Sequence, residues 1–181
     1  DAHEMLLRNV FALIEGYFKQ LEINETTSSS ADLPDFSLTP LTYITEIGQF
    51  LLTLPQHLEP LLLLPAKPLK IALELSDESY KENIPSADIL LSIIADETCS
   101  VYQLKIRQID SISDSEAKQL ATDIEYLGSV LEELGLTLSS HLKQSVQLLK
   151  AKPQSYLAAS SGADPKLVTS IRQMRNININ E

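Results

Sequence analysis

Residues 113–135 carry the clearest alternation of apolar and polar positions in the chain. Apolar residues recur there at spacings of three and four, which predicts one helix with a buried stripe of Ala117, Leu120, Ile124, Leu127, Leu131 and Leu134. Ser113 followed by Glu116 matches a capping box, and Gly135 stands where a left-handed C-cap is expected. The rest should form a solvated face, comprising Lys118, Gln119, Thr122, Glu125, Ser129, Glu132 and Glu133.

Two helices are predicted near the start of the chain. Residues 1–22 place Leu6, Val10, Leu13, Ile14, Tyr17 and Leu21 on one helical face. Thr39 followed by Pro40 is a cap-plus-proline signal for a helix over about 40–54, ending before Pro55. Gly48 inside this helix indicates close packing of a neighbouring backbone.

Ser86 is the predicted cap of a long, largely buried helix that reaches about residue 108. Its apolar surface comprises Ile89, Leu90, Ile93, Ala95, Val101, Tyr102, Leu104 and Ile109.

The last 43 residues contain further helix signals. Ser139 or Ser140 caps a helix that ends before Pro153, and residues 153–159 form a short helical turn. Asp164, followed by proline, repeats the cap-plus-proline signal for a final helix.

Two stretches lack a helical period. Residues 23–38 are rich in Ser, Thr, Asp and Pro, which indicates a flexible linker. Residues 69–75 alternate like a strand, but one strand has nothing to pair with, so a short helix is predicted. We expect an all-α fold of consecutive helical bundles: residues 1–22 as the truncated end of a preceding helical segment, the linker 23–38, and a C-terminal bundle over 39–181.

The net charge of −11 argues against a nucleic-acid-binding protein, because neutralising phosphates requires clustered Lys and Arg. Residues 139–181 hold six basic and two acidic residues, a net +4, so residues 1–138 carry −15. The simplest explanation of the positive charge of residues 139–181 is that Lys and Arg are favoured near helix C-termini. Attraction to an anionic membrane or an acidic partner is the alternative, and we expect the overall negative charge to cancel it in the isolated chain.

No constellation for catalysis, cofactor or metal binding is recognisable, and we expect a protein that is not an enzyme. Nucleophile elbows, glycine-rich phosphate loops, HExxH and EF-hand patterns are missing from the sequence. His57 has no second ligand at metal-binding spacing, so it is expected to be a partly buried packing or capping residue. Cys99 is expected to be a small core residue. Asp123 and Glu125, two residues apart, point to different helix faces, and acidic faces are usually solvated.

Three residues are candidates for contact with a partner. Tyr126 falls on the outward side of its helix, where an aromatic side chain can anchor a partner. The alternative is a tyrosine covered by an adjacent loop or helix of the same chain. Arg172 and Arg175 belong to the basic end, and they form a patch with nearby lysines if their helices pack side by side.

Three stretches, residues 36–60, 117–136 and 148–175, resemble a known family in order and spacing. The first reads FSLTPLTYITEIGQFLLTLPQHLEP, the second AKQLATDIEYLGSVLEELGL, and the third contains LLKAKPQSYLAAS and LVTSIRQMR. They resemble the C-terminal part of the family of the seventh subunit of the conserved oligomeric Golgi complex. That family's pattern has no catalytic residues to carry over.

The resemblance implies a non-enzymatic vesicle-tethering scaffold, built as a rod of helical bundles, on the cytosolic face of the Golgi. It implies a role in retrograde intra-Golgi transport and so in glycosylation homeostasis. The implied partners are the fifth, sixth and eighth subunits, and membrane association is peripheral and through the complex. Whether SNAREs or small GTPases bind this segment is left open.

A second hypothesis is a free-standing helical adaptor that binds a peptide or small protein in a groove. An adaptor would expose a concave apolar groove. A rod segment would instead show uncovered apolar surface near residues 1–22.

Substituting Leu127 or Ile124 by alanine is expected to destabilise the chain by about 2–5 kcal/mol, because truncating a core side chain leaves a cavity. Chemical denaturation measures the free energy of unfolding. Glu132→Ala, on the polar face, is the matched control and is expected to stay within about 0.5 kcal/mol of the wild type. Equal effects at Leu127 and Glu132 would contradict burial of the stripe.

Overall fold

The computed structural model describes residues 2–23, 38–59 and 86–178. Within these ranges the chain forms helices joined by turns, with no strand: α1 (Ala2–Ile23), α2 (Thr42–Leu58), α3 (Ser86–Arg107), α4 (Asp114–Glu133), α5 (Ser140–Lys150), α6 (Tyr156–Ala159) and α7 (Pro165–Met174). A 3-10 turn, Pro153–Ser155, precedes α6. The predicted all-α fold is confirmed for this part of the chain.

Two predicted segments lie outside the described residues. They are most of the linker, from residue 24 to residue 37, and the short helix at 69–75. The division into residues 1–22, 23–38 and 39–181 therefore stays a prediction.

Local hydrogen bonds fix both ends of α4. At its start the Ser113 hydroxyl accepts from the Glu116 amide (3.3 Å), and the Glu116 carboxylate accepts from the Ser113 amide (2.7 Å). At its end Gly135 has φ +74°, and the Leu136 amide donates to the Leu131 carbonyl (2.8 Å). These are a complete capping box and a Schellman motif, so the predicted start and stop signals are confirmed.

Helix α4 packs against both α2 and α5. Its predicted stripe is buried from Ala117 to Leu131, and Leu134 is half buried. Ala121, Gly128 and Val130 are buried as well. The buried surface is therefore wider than a single stripe, because this helix has more than one neighbour.

Helix α1 packs against α2 and α3 and contributes to the same core. Its buried side chains are Leu7, Val10, Ile14 and Phe18. The prediction for this helix is right at Val10 and Ile14 and wrong at Leu13, which is 50% exposed. The buried positions continue from residue 14 to Phe18, four residues further on. Leu13 does not share their face of the helix and so points away from the core.

Helix α2 lies further along the chain than the predicted 40–54. Its N-cap residue is Leu41 and not Thr39, because a carboxylate of α4 binds the Leu41 amide. Pro55 does not end the helix but lies inside it. Burial of Leu54 and Leu58 keeps the last turn on the core and offsets the hydrogen bond that proline cannot donate.

His57 and Leu104 are more exposed than the sequence predicts. The His57 ring is on the exposed side of α2, with Nδ1 3.3 Å from the Thr53 carbonyl oxygen. Leu104 of α3 is 56% exposed because it lies two residues from both Tyr102 and Ile106, which are buried.

Cys99 is buried in α3, which confirms its prediction as a small core residue. Burial raises the pKa of its thiol. The thiol is therefore not prepared to act as a nucleophile.

The C-terminal helices begin at predicted caps. The Ser139 hydroxyl accepts from the Leu142 amide (3.4 Å) at the start of α5. The Asp164 carboxylate accepts a hydrogen bond from the Lys166 amide (2.8 Å) at the start of α7. Lys166 directly follows Pro165, the first residue of this helix. Both predicted starts are confirmed.

Helices α5 and α7 pack side by side, and the contacts at their two ends show that they run in the same direction. At their N-terminal ends, Nε2 of His141 is 3.4 Å from Oδ2 of Asp164. At their C-terminal ends, the Arg175 guanidinium donates to the Leu148 carbonyl (2.7 Å). Between the two helices in sequence, α6 is fastened to α7 by the Tyr156 hydroxyl, which donates to the Val168 carbonyl (2.8 Å).

Helix α2 approaches α4 closely at Gly48. A Cβ atom at this position would lie 2.8 Å from Cε1 of Tyr126 and 3.0 Å from Cγ2 of Val130. Close packing at Gly48 is therefore confirmed, but the atoms nearest to it are side chains and not a backbone.

Gly48→Ala is expected to destabilise the chain by about 1–3 kcal/mol, because the new methyl group overlaps the Tyr126 ring. Gly16→Ala is the matched control, since nothing lies within 4 Å of its Cβ position, and it is expected to stabilise α1 by up to about 1 kcal/mol. Chemical denaturation measures both. In a Tyr126→Ala background the cost of Gly48→Ala should shrink, and an unchanged cost would contradict this packing.

Candidate functional site

Asp123 of α4 is the centre of a buried polar cluster. Its side chain is only 1% exposed, yet both carboxylate oxygens accept hydrogen bonds. Oδ1 accepts from the Leu41 amide (2.9 Å) and from Nε2 of Gln119 (3.0 Å), and Oδ2 accepts from the Tyr43 hydroxyl (2.8 Å). Burial raises the pKa of Asp123, while these three hydrogen bonds oppose the rise.

The cluster continues from α2 into α3. The hydroxyl oxygens of Tyr43 and Tyr102 are 2.7 Å apart. Tyr43 has a single hydroxyl proton, which it donates to Asp123, so Tyr102 must be the donor to Tyr43. The Tyr102 ring stacks on Phe18 of α1, with 4.8 Å between ring centroids. One chain of contacts therefore joins all of the first four helices.

The chemistry of this cluster suits positioning and not proton transfer. Burial raises the pKa values of Tyr43 and Tyr102 well above the ordinary tyrosine value, so both hydroxyls stay protonated at neutral pH. Neither ring is more than 1% exposed, which keeps a substrate away. Gln119 extends the cluster outward by donating to the Thr39 carbonyl (2.8 Å), and so fixes the entry to α2.

The expectation of solvated acidic positions on α4 is therefore wrong at Asp123 and right at Glu125. Glu125 is half exposed and paired with Lys150 of α5. Residue 123 stands three after Leu120 and four before Leu127, so its spacing already places it on the buried side. That spacing is the signal that could have predicted its burial.

Tyr126 is partly buried, and its ring lies against Gly48 of α2. It therefore packs within the chain on one side, and its role as a contact for a partner stays a prediction.

Arg172 and Arg175 differ in their exposure to solvent. Arg172 is exposed on α7, whereas the Arg175 side chain is only 4% exposed, contrary to the expectation that both lie on a basic surface. The Arg175 guanidinium donates to the carbonyls of Leu148 (2.7 Å) and Ala151 (2.8 Å) and to Asp114 of α4 (2.9 Å). It is buried because it binds the end of α5 and the start of α4.

Among the described residues, no group of three or more His, Cys, Asp or Glu side chains is arranged to hold a metal ion. The same part of the chain has no helix with the length and apolar character needed to cross a membrane.

Asp123→Ala is expected to destabilise the chain by about 2–4 kcal/mol, because it leaves buried donors without an acceptor. Asp123→Asn keeps the shape and removes the ionisation. Because folding raises the pKa of Asp123, its contribution to stability is complete below the unfolded value of about 3.9 and declines as pH rises through the folded value.

The stability of the wild type relative to Asp123→Asn should therefore fall as pH rises above about 4. Urea unfolding of both proteins at a series of pH values measures this difference. A difference that grows with pH would contradict the raised pKa.

The chain was compared with known proteins. A family profile described as Golgi complex component 7 (COG7) matches residues 1–176. Over 98% of its length the chain is 49% identical to conserved oligomeric Golgi complex subunit 7 of Drosophila melanogaster, 40% to that of Bos taurus and 36% to that of Homo sapiens. It spans only 24% of the fly protein and 25% of the two mammalian proteins. No solved structure matches the chain significantly.

The family profile matches nearly the whole chain, and the chain is 49% identical to the fly protein. These matches show that the chain belongs to the Golgi complex component 7 (COG7) family.

Proposed function

We propose that the chain is a scaffold segment of a Golgi vesicle-tethering subunit and carries out no catalysis. Membership of the Golgi complex component 7 family is the observation that carries this proposal. In this role the segment contributes to retrograde intra-Golgi transport at the cytosolic face of the Golgi, and through it to glycosylation homeostasis.

The use of buried polar groups supports a scaffold. Asp123 binds the start of α2 and the tyrosine chain to α3, and Arg175 binds α4 and α5. The hydrogen bonds of both groups fix helices relative to one another. A stiff bundle of this kind suits a protein that must hold other subunits at a set spacing.

The proposed partners are the fifth, sixth and eighth subunits of the complex, with peripheral membrane association. One exposed apolar side chain on α1 fits the expectation for a rod segment, although Leu104 and Leu157 are more exposed elsewhere in the described residues. Leu13 is half exposed there, in the region where a rod segment is expected to show uncovered apolar surface. Of the three candidate contact residues, Arg172 is exposed, Tyr126 is partly buried and Arg175 is buried. SNAREs and small GTPases are not assigned to any residue.

Affinity capture of the tagged full-length protein from cells tests the proposal. The wild type is expected to retain the fifth, sixth and eighth subunits, identified by mass spectrometry. Leu13→Asp is expected to lower their recovery at an unchanged melting temperature, because a carboxylate replaces apolar contact surface.

Leu104→Asp is the matched control, since this leucine is exposed to a similar degree on α3. Equal loss in the two variants would assign the effect to general misassembly and not to α1. A wild-type protein that retains none of these subunits would overturn the proposal.

A further inference from the structure

The chain turns back after α7 in a turn that has its own hydrogen bonds. Asn176 has φ +50°, in the left-handed region. Its amide donates to the Gln173 carbonyl (2.9 Å), and the Ile177 amide donates to the Arg172 carbonyl (3.0 Å). These two bonds form a Schellman motif, with Asn176 in the position that glycine usually occupies. Residues 174–177, the closing turn, therefore have a defined conformation.

The closing turn lies against the corner between α3 and α4, residues 108–113. The Ile112 amide donates to the Met174 carbonyl (2.9 Å). The Asn176 side-chain amide donates to the Ser111 hydroxyl oxygen (3.2 Å), across 65 positions of sequence. One backbone bond and one side-chain bond therefore join the end of α7 to this corner.

Other side chains of the closing turn enter the bundle. Met174 and Ile177 are buried, with 4% and 8% exposure, and belong to the common core. Between them, Arg175 binds Asp114 at the start of α4 and two carbonyls at the end of α5. Four consecutive residues therefore connect the corner, α4 and α5.

The rest of α7 is attached to the helices that precede it in the sequence. It packs mainly against α5. At its N-terminal end Oδ2 of Asp164 lies 3.4 Å from Nε2 of His141, and the Asp164 amide donates to Oε1 of Gln144 (3.1 Å). The Val168 carbonyl accepts from Tyr156 of α6. The polar contacts that join this helix to the corner and to α4 come from the closing turn.

The first four helices have a polar anchor of their own. Asp123 binds the start of α2, and the hydroxyls of Tyr43 and Tyr102 extend that contact to α3. This anchor is buried, whereas Ser111 and Asn176 are exposed, so that water can compete for their hydrogen bond. The bonds at the closing turn are therefore expected to open more easily than those around Asp123.

We propose that the closing turn is a latch. While it is closed, it fastens the α5–α7 pair to the corner between α3 and α4. When it opens, α7 and the corner become free together, and α2 stays folded because its anchor on Asp123 does not involve the closing turn. Such an opening is local and does not unfold the whole bundle. The inference goes beyond the proposed tethering role and would stand without it.

Hydrogen–deuterium exchange of the 181-residue chain, measured by mass spectrometry of its peptides, tests the latch. Arg175→Ala with Asn176→Ala removes the side-chain bonds of the closing turn and disfavours its left-handed residue. Amides of residues 109–116 and 165–173 are expected to exchange about tenfold faster or more, because hydrogen bonds to charged groups are strong. Amides of residues 43–58 are expected to change by less than about twofold.

Arg172→Ala with Asn178→Ala is the matched control. It makes the same two substitutions at exposed positions beside those of the latch variant. Exchange at residues 109–116 is expected to stay within about twofold of the wild type.

Ser111→Ala with Asp114→Ala opens the latch from its other side. Because the two sides share their bonds, exchange at residues 165–173 of α7 is expected to rise by about threefold or more.

Four results would overturn the proposal. They are unchanged exchange at residues 109–116 in the Arg175 and Asn176 variant, equal acceleration of residues 43–58 in that variant, the same acceleration in the control, and unchanged exchange of α7 in the Ser111 and Asp114 variant.

Discussion

Burying the carboxylate of Asp123 is costly, and the bundle meets this cost with three neutral donors that converge on it. The donors come from the segment before α2, from α2 itself and from α4. None can be removed without leaving a buried acceptor short of a partner. This requirement sets the position of α2 along α4, and through the hydroxyls of Tyr43 and Tyr102 it also sets α3. The remaining packing of the first four helices is arranged around that constraint.

The sequence predicts well those features that depend on residues three or four apart. The capping box of Ser113 and Glu116, the cap at Asp164 and the stripe of α4 all have this property, and the structure confirms them. It predicts poorly what depends on distant residues. The Leu41 amide donates to Asp123, which is 82 positions away. The buried Arg175 donates to Asp114, which is 61 positions away. No periodicity in one helix reveals such partners.

Function could be predicted only from family resemblance, because no catalytic motif could be recognised from the spacing of residues in the sequence. The candidate contact residues show why. An outward position on a helical wheel placed Tyr126 on a surface, but α2 covers that side of α4 at Gly48. The charge composition predicted that Arg172 and Arg175 lie on the same basic surface. Only tertiary packing decides which of the two is buried, and here it is Arg175.

The parallel arrangement of α5 and α7 has an electrostatic consequence. Two parallel helices bring their C-terminal ends together, and each end carries roughly half an elementary negative charge from its aligned peptide dipoles. The guanidinium of Arg175 sits where these ends meet, and the N-terminal end of α4, with Asp114, completes the junction. Without this cation, two like partial charges would face each other in a largely dry site. Arg175, the C-cap residue of α7, is therefore an internal counter-ion for the bundle, and the parallel packing of α5 and α7 depends on it.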